Sequence, residues 1–231
     1  MHQRSNAQAE VRQLRSSLAG VKREKRADGT PAPIKGLAAV YYREDDPGTE
    51  YWLWSDMVER IHPGAFDRAI KEQHDARALY NHDPAAILGR VSAGTCRLAL
   101  TEQGLAYEID ADPNDPDHQR VGSKLDRGDV TGSSFAFITR KVVWEEVKTD
   151  EGQWLYIRNV HDLDLFDVGP VTWPAYEATA AGRSTRSDGQ APQAGDADPM
   201  RAELLRERDK QLRAADDADL EMRARLLELE S

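Results

Sequence analysis

The stretch SSFAFITRKVVWEEV-KTDEG-QWLYIRNVHDLDLFDV, residues 133–168, decides the fold class that the sequence predicts. Two long segments rich in β-branched and aromatic residues flank a short polar segment that ends in Gly, which is the pattern of a β-hairpin. Shorter segments of the same kind precede it, at 34–42, 51–54, 76–82, 94–101 and 104–111. With helical patterns only within 60–73 and 112–128, the sequence predicts a mainly β protein with a few helices, folded as an antiparallel β-barrel.

Composition divides the chain into four parts. Residues 1–31 are rich in Arg and Lys and predict a flexible, partly helical arm and linker, and residues 32–182 hold the apolar pattern of one domain. Small, polar and turn-forming residues make 183–200 a flexible linker, and 201–231 has the pattern of a charged helix.

The C-terminal helix carries an interrupted apolar seam. Arg208 and Asp219 break it, and the seam residues are Leu205, Leu212, Ala215, Met222, Leu226 and Leu229. Two interpretations remain open: a helix that binds a partner or another copy of the chain, and a solvated helix with weak packing.

Charge and composition exclude several classes of function. The 231 residues carry a net charge of −10, which argues against a nucleic-acid-binding surface. The single Cys96 excludes an internal disulfide and a thiolate metal cluster, and no phosphate loop or H-E-x-x-H motif is present, so we expect no cofactor or metal. With no membrane-length apolar run or signal peptide, we expect a soluble protein of a reducing cytoplasm.

Among six histidines, His82 has the position best suited to chemistry. It follows a strand-like run and precedes a turn, where a side chain is held rigidly yet stays accessible. His161 is the other histidine on a predicted strand. Ser133 and Ser134 are the candidate nucleophiles, because they start a strand after Gly128 and Gly132, although an ordinary strand-start serine fits the same pattern.

A third polar partner would come from the acids of HDLDLFDV, residues 161–168. Alternation places Asp162 and Asp164 on one face of the strand and Asp167 on the other. These residues allow a Ser-His-Asp hydrolase, but they equally allow acids that protect a sheet edge. A divalent metal site of His82, Asp83, Asp162 and Asp164 is the weaker alternative.

The order of six blocks resembles the prohead protease family of tailed bacteriophages, capsid-maturation serine peptidases related in fold to the herpesvirus assemblins. The blocks are IKGLAAVYY, ERIHPGAFDRAI, LYNHDPAAILGR, GTCRLALTEQGLAYEIDAD, VGSKLDRGDVTGSSFAF and LFDVGPVTWPAYEAT. The resemblance covers about residues 34 to 180 and implies the assemblin type of barrel.

By position, the resemblance implies that His82 is the general base and Ser134 the nucleophile. Where the family commonly reads L-x-E-V-S, this chain has LFDVG, with Asp167 and Gly169 in place of Glu and Ser. From the assemblin arrangement we expect Asp164 to be the third catalytic residue, with Asp162 as the second choice and His161 as a remaining alternative.

The implied function is that of a serine endopeptidase acting through an acyl-enzyme. For its oxyanion site we expect backbone amides near 169–172, with Arg90 as the second candidate. Its expected substrates are the scaffolding region of the major capsid protein, or a separate scaffold, inside the procapsid in the host cytoplasm, and the chain itself within 184–199. A homo-oligomer is a further expectation, and neither nucleic acid nor membrane is expected as a partner. The alternative is a non-catalytic assembly or scaffolding factor with the same fold.

Overall fold

The computed structural model describes residues 9–13, 21–23, 32–172 and 198–229, with side chains described, Gln13 excepted, up to residue 214 and at 218. These residues form eleven strands and three α-helices, so the expectation of a mainly β protein with a few helices is confirmed. The helices are α1 (Asp67–Lys71), α2 (Pro116–Arg127) and α3 (Pro199–Leu229). None of the described helices is long and apolar enough to cross a bilayer.

The larger sheet has seven strands, ordered β1-β10-β11-β5-β4, with β6 paired to both β11 and β7. Their bounds are β1 (Glu10–Gln13), β4 (Tyr51–Trp54), β5 (Met57–Ile61), β6 (Arg77–Leu79), β7 (Ile87–Arg90), β10 (Gly132–Lys148) and β11 (Trp154–Val171). The predicted hairpin is therefore present and forms the longest pair of strands in the described chain.

The smaller sheet has four antiparallel strands in the order β2-β3-β9-β8. Their bounds are β2 (Lys22–Arg23), β3 (Ile34–Val40), β8 (Cys96–Leu100) and β9 (Gly104–Ile109). Within the described ranges the strands form these two sheets and no closed barrel, so the barrel expectation is not confirmed.

The long strand β11 departs from the expected antiparallel pattern. It pairs in parallel with β5 along Tyr156–Val160 and again in parallel with β6 at Asp167 and Val168. Because β6 ends just before His82, the second of these pairings brings the candidate base to the end of the hairpin.

The N-terminal segment also differs from the expectation of a partly helical arm. Its described parts are strands: β1 pairs with β10, and β2 pairs with β3. Each adds to the outer strand of a sheet, where free backbone groups favour pairing over the local helical preference of Arg, Gln and Glu. The predicted linker, 183–200, lies almost entirely outside the described residues.

The first turns of α3 pack against the body of the protein. Leu204 is buried, Arg201 binds Asp56 and Arg208 lies 4.5 Å from the centre of the Tyr156 ring. Leu212 of the predicted seam is exposed, and the side chains of Ala215, Met222, Leu226 and Leu229 lie outside the described part. The described half of the helix therefore contacts the body through residues that are mostly not in the seam.

Cys96 is buried at the start of β8, and this burial raises the pKa of its thiol to about 11. At pH 8 only about one native molecule in a thousand would carry the reactive thiolate. We expect Ellman's reagent to label the native protein on the order of a hundred times more slowly than the protein unfolded in guanidinium. Rapid labelling of the native protein would contradict the burial of this side chain.

Candidate active site

His82 is held by a short turn that begins where β6 ends. Both Asn81 (φ 55°) and His82 (φ 57°) adopt the left-handed conformation, which non-glycine residues rarely take and which Asn tolerates best. The Asp83 amide donates to the Tyr80 carbonyl at 3.1 Å and closes the turn. This explains locally why the sequence YNHD follows the strand.

Asn81 fastens the turn to the end of β11. Its backbone N–H donates to the Pro170 carbonyl at 3.1 Å, and its side-chain oxygen accepts the Thr172 amide at 2.8 Å. The close approach also involves Gly169, where a Cβ atom would lie 2.0 Å from the Leu79 carbonyl oxygen. Because Gly169 has no side chain, β6 can lie directly against β11 at this point.

Ser134 lies near the start of β10, and its side chain is completely buried. Its Oγ is 2.5 Å from His82 Nε2 and donates to the Arg12 carbonyl at 2.8 Å. The neighbouring Ser133 points to the opposite face, where its Oγ donates to the Tyr107 hydroxyl at 3.0 Å. The two expected residues, His82 and Ser134, are thus brought together, whereas Ser133 is not.

The carboxylate beside His82 belongs to Asp167. Its Oδ1 is 2.5 Å from His82 Nδ1, and both side chains are mostly buried, with exposed fractions of 13% and 16%. The expected third residue, Asp164, lies elsewhere: it pairs with Ile138, four residues beyond Ser134, which is about 13 Å along the strand.

A β-bulge at Phe166 explains this correction. Ala136 pairs with Asp167 and the next residue, Phe137, pairs with Leu165, so Phe166 has no partner on β10. One extra residue reverses the alternation of side chains, which places Asp167 on the same face as Ser134. Regular alternation would place Asp167 with the core residues Leu163 and Leu165.

The other candidate acids are engaged in ion pairs away from His82. Arg68 of α1 donates to Asp162 Oδ2 at 3.0 Å and to Asp164 Oδ1 at 2.7 Å, and Arg140 also binds Asp164. Burial would raise the pKa of Asp164, but the two guanidinium groups outweigh this effect and lower it. Both acids are therefore structural partners of Arg68.

His161 is likewise separate from His82, since its ring stacks on that of His62 with centroids 4.4 Å apart. Burial lowers the pKa of His161, and the neighbouring His62 adds to this. The alternative metal ligands do not come together either, because Asp162 and Asp164 bind Arg68 while His82 contacts Asp167. In the described segments no group of three or more His, Cys, Asp or Glu side chains is arranged to hold a metal ion.

Comparison with known proteins identifies the family of this chain. Residues 20–192 match the family described as Caudovirus prohead serine protease. The chain belongs to this family. The resemblance seen in the sequence is thereby confirmed, and the protein is a phage serine protease of capsid maturation, a class that acts in the assembling prohead within the host cell.

No curated protein matches the sequence. Among solved structures, the bacteriophage T4 capsid assembly protease is similar at 11% identity and a TM-score of 0.38, covering 74% of this chain and 100% of that one. Similarity this low carries no argument about the present site.

The turn that holds His82 can be tested by two substitutions at Asn81. Asn81→Ala loses the hydrogen bonds to Thr172 and also incurs the strain of the left-handed conformation, whereas Asn81→Gly loses only the hydrogen bonds. We expect losses in unfolding free energy of about 2 kcal/mol for Ala and about 1 kcal/mol for Gly, measured by denaturant titration. An Ala variant as stable as its parent would refute this role of Asn81.

Proposed function

We propose that the protein is a serine endopeptidase in which Ser134 is the nucleophile, His82 the general base and Asp167 the carboxylate that orients the imidazole. The observation that carries the proposal is the continuous series of contacts from Asp167 through both ring nitrogens of His82 to Ser134 Oγ. The same constellation supports acyl transfer in unrelated serine hydrolases, where geometry and not chain order defines the roles.

The mechanism follows from this arrangement. When Ser134 Oγ attacks the scissile carbonyl carbon, its proton passes to His82 Nε2, and the Asp167 carboxylate stabilises the resulting imidazolium through Nδ1–H. His82 then gives the proton to the leaving amine as the acyl-enzyme forms. A water molecule, deprotonated by His82, hydrolyses the ester and restores Ser134.

Several of the expected oxyanion donors are engaged elsewhere or lack a hydrogen to donate. Arg90, the second candidate for this role, instead binds Asp75 in an exposed pair, with Nε to Oδ2 at 2.9 Å. Of the expected 169–172 stretch, Pro170 has no N–H and the Thr172 amide is used by Asn81. These positions therefore do not serve as donors in this arrangement.

The proposed substrates are the scaffolding region of the phage major capsid protein or a separate scaffold, and the chain itself. Membership of a prohead protease family supports the first. The small and polar residues of 184–199 support the second, because such segments enter protease active sites readily. The complete burial of Ser134 is the observation that favours the alternative, a non-catalytic assembly factor.

Substitutions at three positions distinguish these possibilities. Ser134→Ala should abolish cleavage of the capsid protein, and Asp167→Asn should slow it by on the order of 10³–10⁴, because the imidazole loses its orienting charge. Asp164→Asn is the matched control and should retain most of the activity. Intact-mass spectrometry of capsid protein and protease after incubation gives both the rates and the cleavage sites.

The outcomes separate the hypotheses. If Asp164→Asn is as damaging as Asp167→Asn, the assignment of the third residue is wrong. Equal cleavage by the wild type and Ser134→Ala would remove Ser134 as nucleophile. An absence of cleavage in all variants, in procapsids as well as in solution, would favour the assembly factor.

A further inference from the structure

The strand β1 lies where an extended substrate would lie. It adds to the edge of β10 in antiparallel register, with Gln13 opposite Ser134 and Arg12 opposite Phe135. Addition of a strand to a sheet edge is a common way for proteins to bind extended peptides, because the backbone supplies the hydrogen bonds. The protein's own N-terminal segment thus occupies the edge next to the proposed nucleophile.

The contact with Ser134 fixes which residue of β1 is aligned with the site. Ser134 Oγ donates to the carbonyl oxygen of Arg12 at 2.8 Å. A serine hydroxyl has one hydrogen, so while it is donated to this carbonyl it cannot be donated to His82 Nε2, 2.5 Å away. The arm holds the residue-12 carbonyl at the nucleophile in an arrangement that blocks the reaction.

The side chain of Arg12 enters a pocket whose base is Glu59. Arg12 Nε donates to Glu59 Oε1 at 2.6 Å and Nη2 donates to Oε2 at 3.1 Å, which is the paired geometry that arginine makes with a carboxylate. The Glu59 side chain is completely buried, and the guanidinium carbon of Arg12 lies 5.4 Å from the centre of the Phe137 ring.

Glu10, two residues before Arg12, is also bound by a side chain of opposite charge. Side chains alternate along a strand, so Glu10 and Arg12 face the protein while Val11 is exposed. Glu10 Oε2 accepts from Arg158 Nη1 at 2.8 Å, and Arg158 also binds Glu59. The pocket therefore recognises an acid, any residue and an arginine, in that order.

When β1 leaves, the charges that remain in the pocket favour binding of a positively charged side chain. Without Glu10 and Arg12, the described charges of this ion cluster are the carboxylates of Glu59 and Glu207 and one guanidinium, that of Arg158. Two carboxylates facing one guanidinium leave a net negative pocket. The arginine of an incoming strand would restore the second guanidinium partner that Glu59 has while β1 is in place.

We propose that Glu59 is the specificity-determining residue of the substrate site and selects a peptide with arginine on the amino side of the scissile bond. The acid two residues before this arginine is bound by Arg158, and β1 occupies the same position until it is displaced. This inference rests on the proposed function, since it identifies the substrate class of that site. Arginine is favoured over lysine because only its planar group makes both contacts to one carboxylate.

The chain itself contains the pattern Glu-x-Arg at 10–12, 24–26 and 221–223. All three copies lie outside the predicted domain 32–182. The proposal therefore names Arg26 and Arg223 as self-cleavage positions in addition to the 184–199 segment suggested by composition.

Peptide binding tests the proposal independently of catalysis. The protein is the full chain with Arg12→Ala, which empties the pocket, and Ser134→Ala, which prevents cleavage. The probe is a fluorescein-labelled peptide of residues 8–14, QAEVRQL, and the matched peptide carries Arg12→Ala. By fluorescence anisotropy we expect the matched peptide to bind at least about tenfold more weakly, since it lacks a charged hydrogen-bonded pair.

Two variants of the protein test whether Glu59 causes the preference for the arginine-containing peptide. Glu59→Gln should remove the preference between the two peptides, whereas Glu108→Gln, an acid on the smaller sheet, should keep it. If Glu59→Gln does not fold, as judged by thermal unfolding, the peptide pair alone still decides. Equal affinity for the two peptides, or no binding of either, would overturn the proposal.

A cleavage assay separates this inference from the proposed function. The chain with Ser134 intact and Arg12→Ala is incubated with the same two peptides, and the products are identified by mass spectrometry. Cleavage after the arginine supports both conclusions. Binding that depends on the arginine, with no cleavage of these peptides or of capsid protein in procapsids, would refute the peptidase and leave the pocket assignment standing. Cleavage with no preference for arginine would support the peptidase and overturn the pocket assignment.

Discussion

The pairing of β10 with β11 changes register at Phe166, and the distances within the proposed triad depend on that change. Ser134 and Asp167 come from neighbouring strands, so only their shared face allows one imidazole to touch both. The third element, the His82 turn, reaches this face because β6 continues the sheet in parallel with β11. Three segments distant in sequence thus meet through backbone pairing, which positions side chains more precisely than a loop would.

Beneath this face lies a buried ion cluster that joins the sheet to the arm. Removing one partner of a buried ion pair costs roughly 3–5 kcal/mol, because the remaining charge is left without compensation. Glu59 is protected from that cost by having two guanidinium partners, Arg12 and Arg158, of which the second belongs to the sheet itself. The arm can therefore leave without stranding Glu59 as an isolated buried charge, as exchange of the arm for a substrate requires.

Sequence reasoning could predict the hairpin and single out His82 and the Ser133–Ser134 pair, because each has a local pattern: two apolar strands around a turn, a histidine at a strand end, and serines after glycines. It expected Asp164 beside His82, where the structure has Asp167, because a bulge has no reliable local signature and alternation was extended through Phe166. The one available signal that Asp167 lies near His82 was that it stands where the family commonly has Glu. The strand β1 and its contact to Ser134 were missed because edge pairing joins residues more than a hundred positions apart, which no local pattern reports.

Arg158 links the two ends of the chain to the same cluster. Its guanidinium binds Glu10 of the arm and, at 3.3 Å, Glu207 of α3. Burial raises the pKa of Glu207, and the negative charge of Glu10 adds to this while Arg158 opposes it. The two carboxylates therefore repel each other and share one cation, so that Arg158 links the N-terminal strand electrostatically to α3.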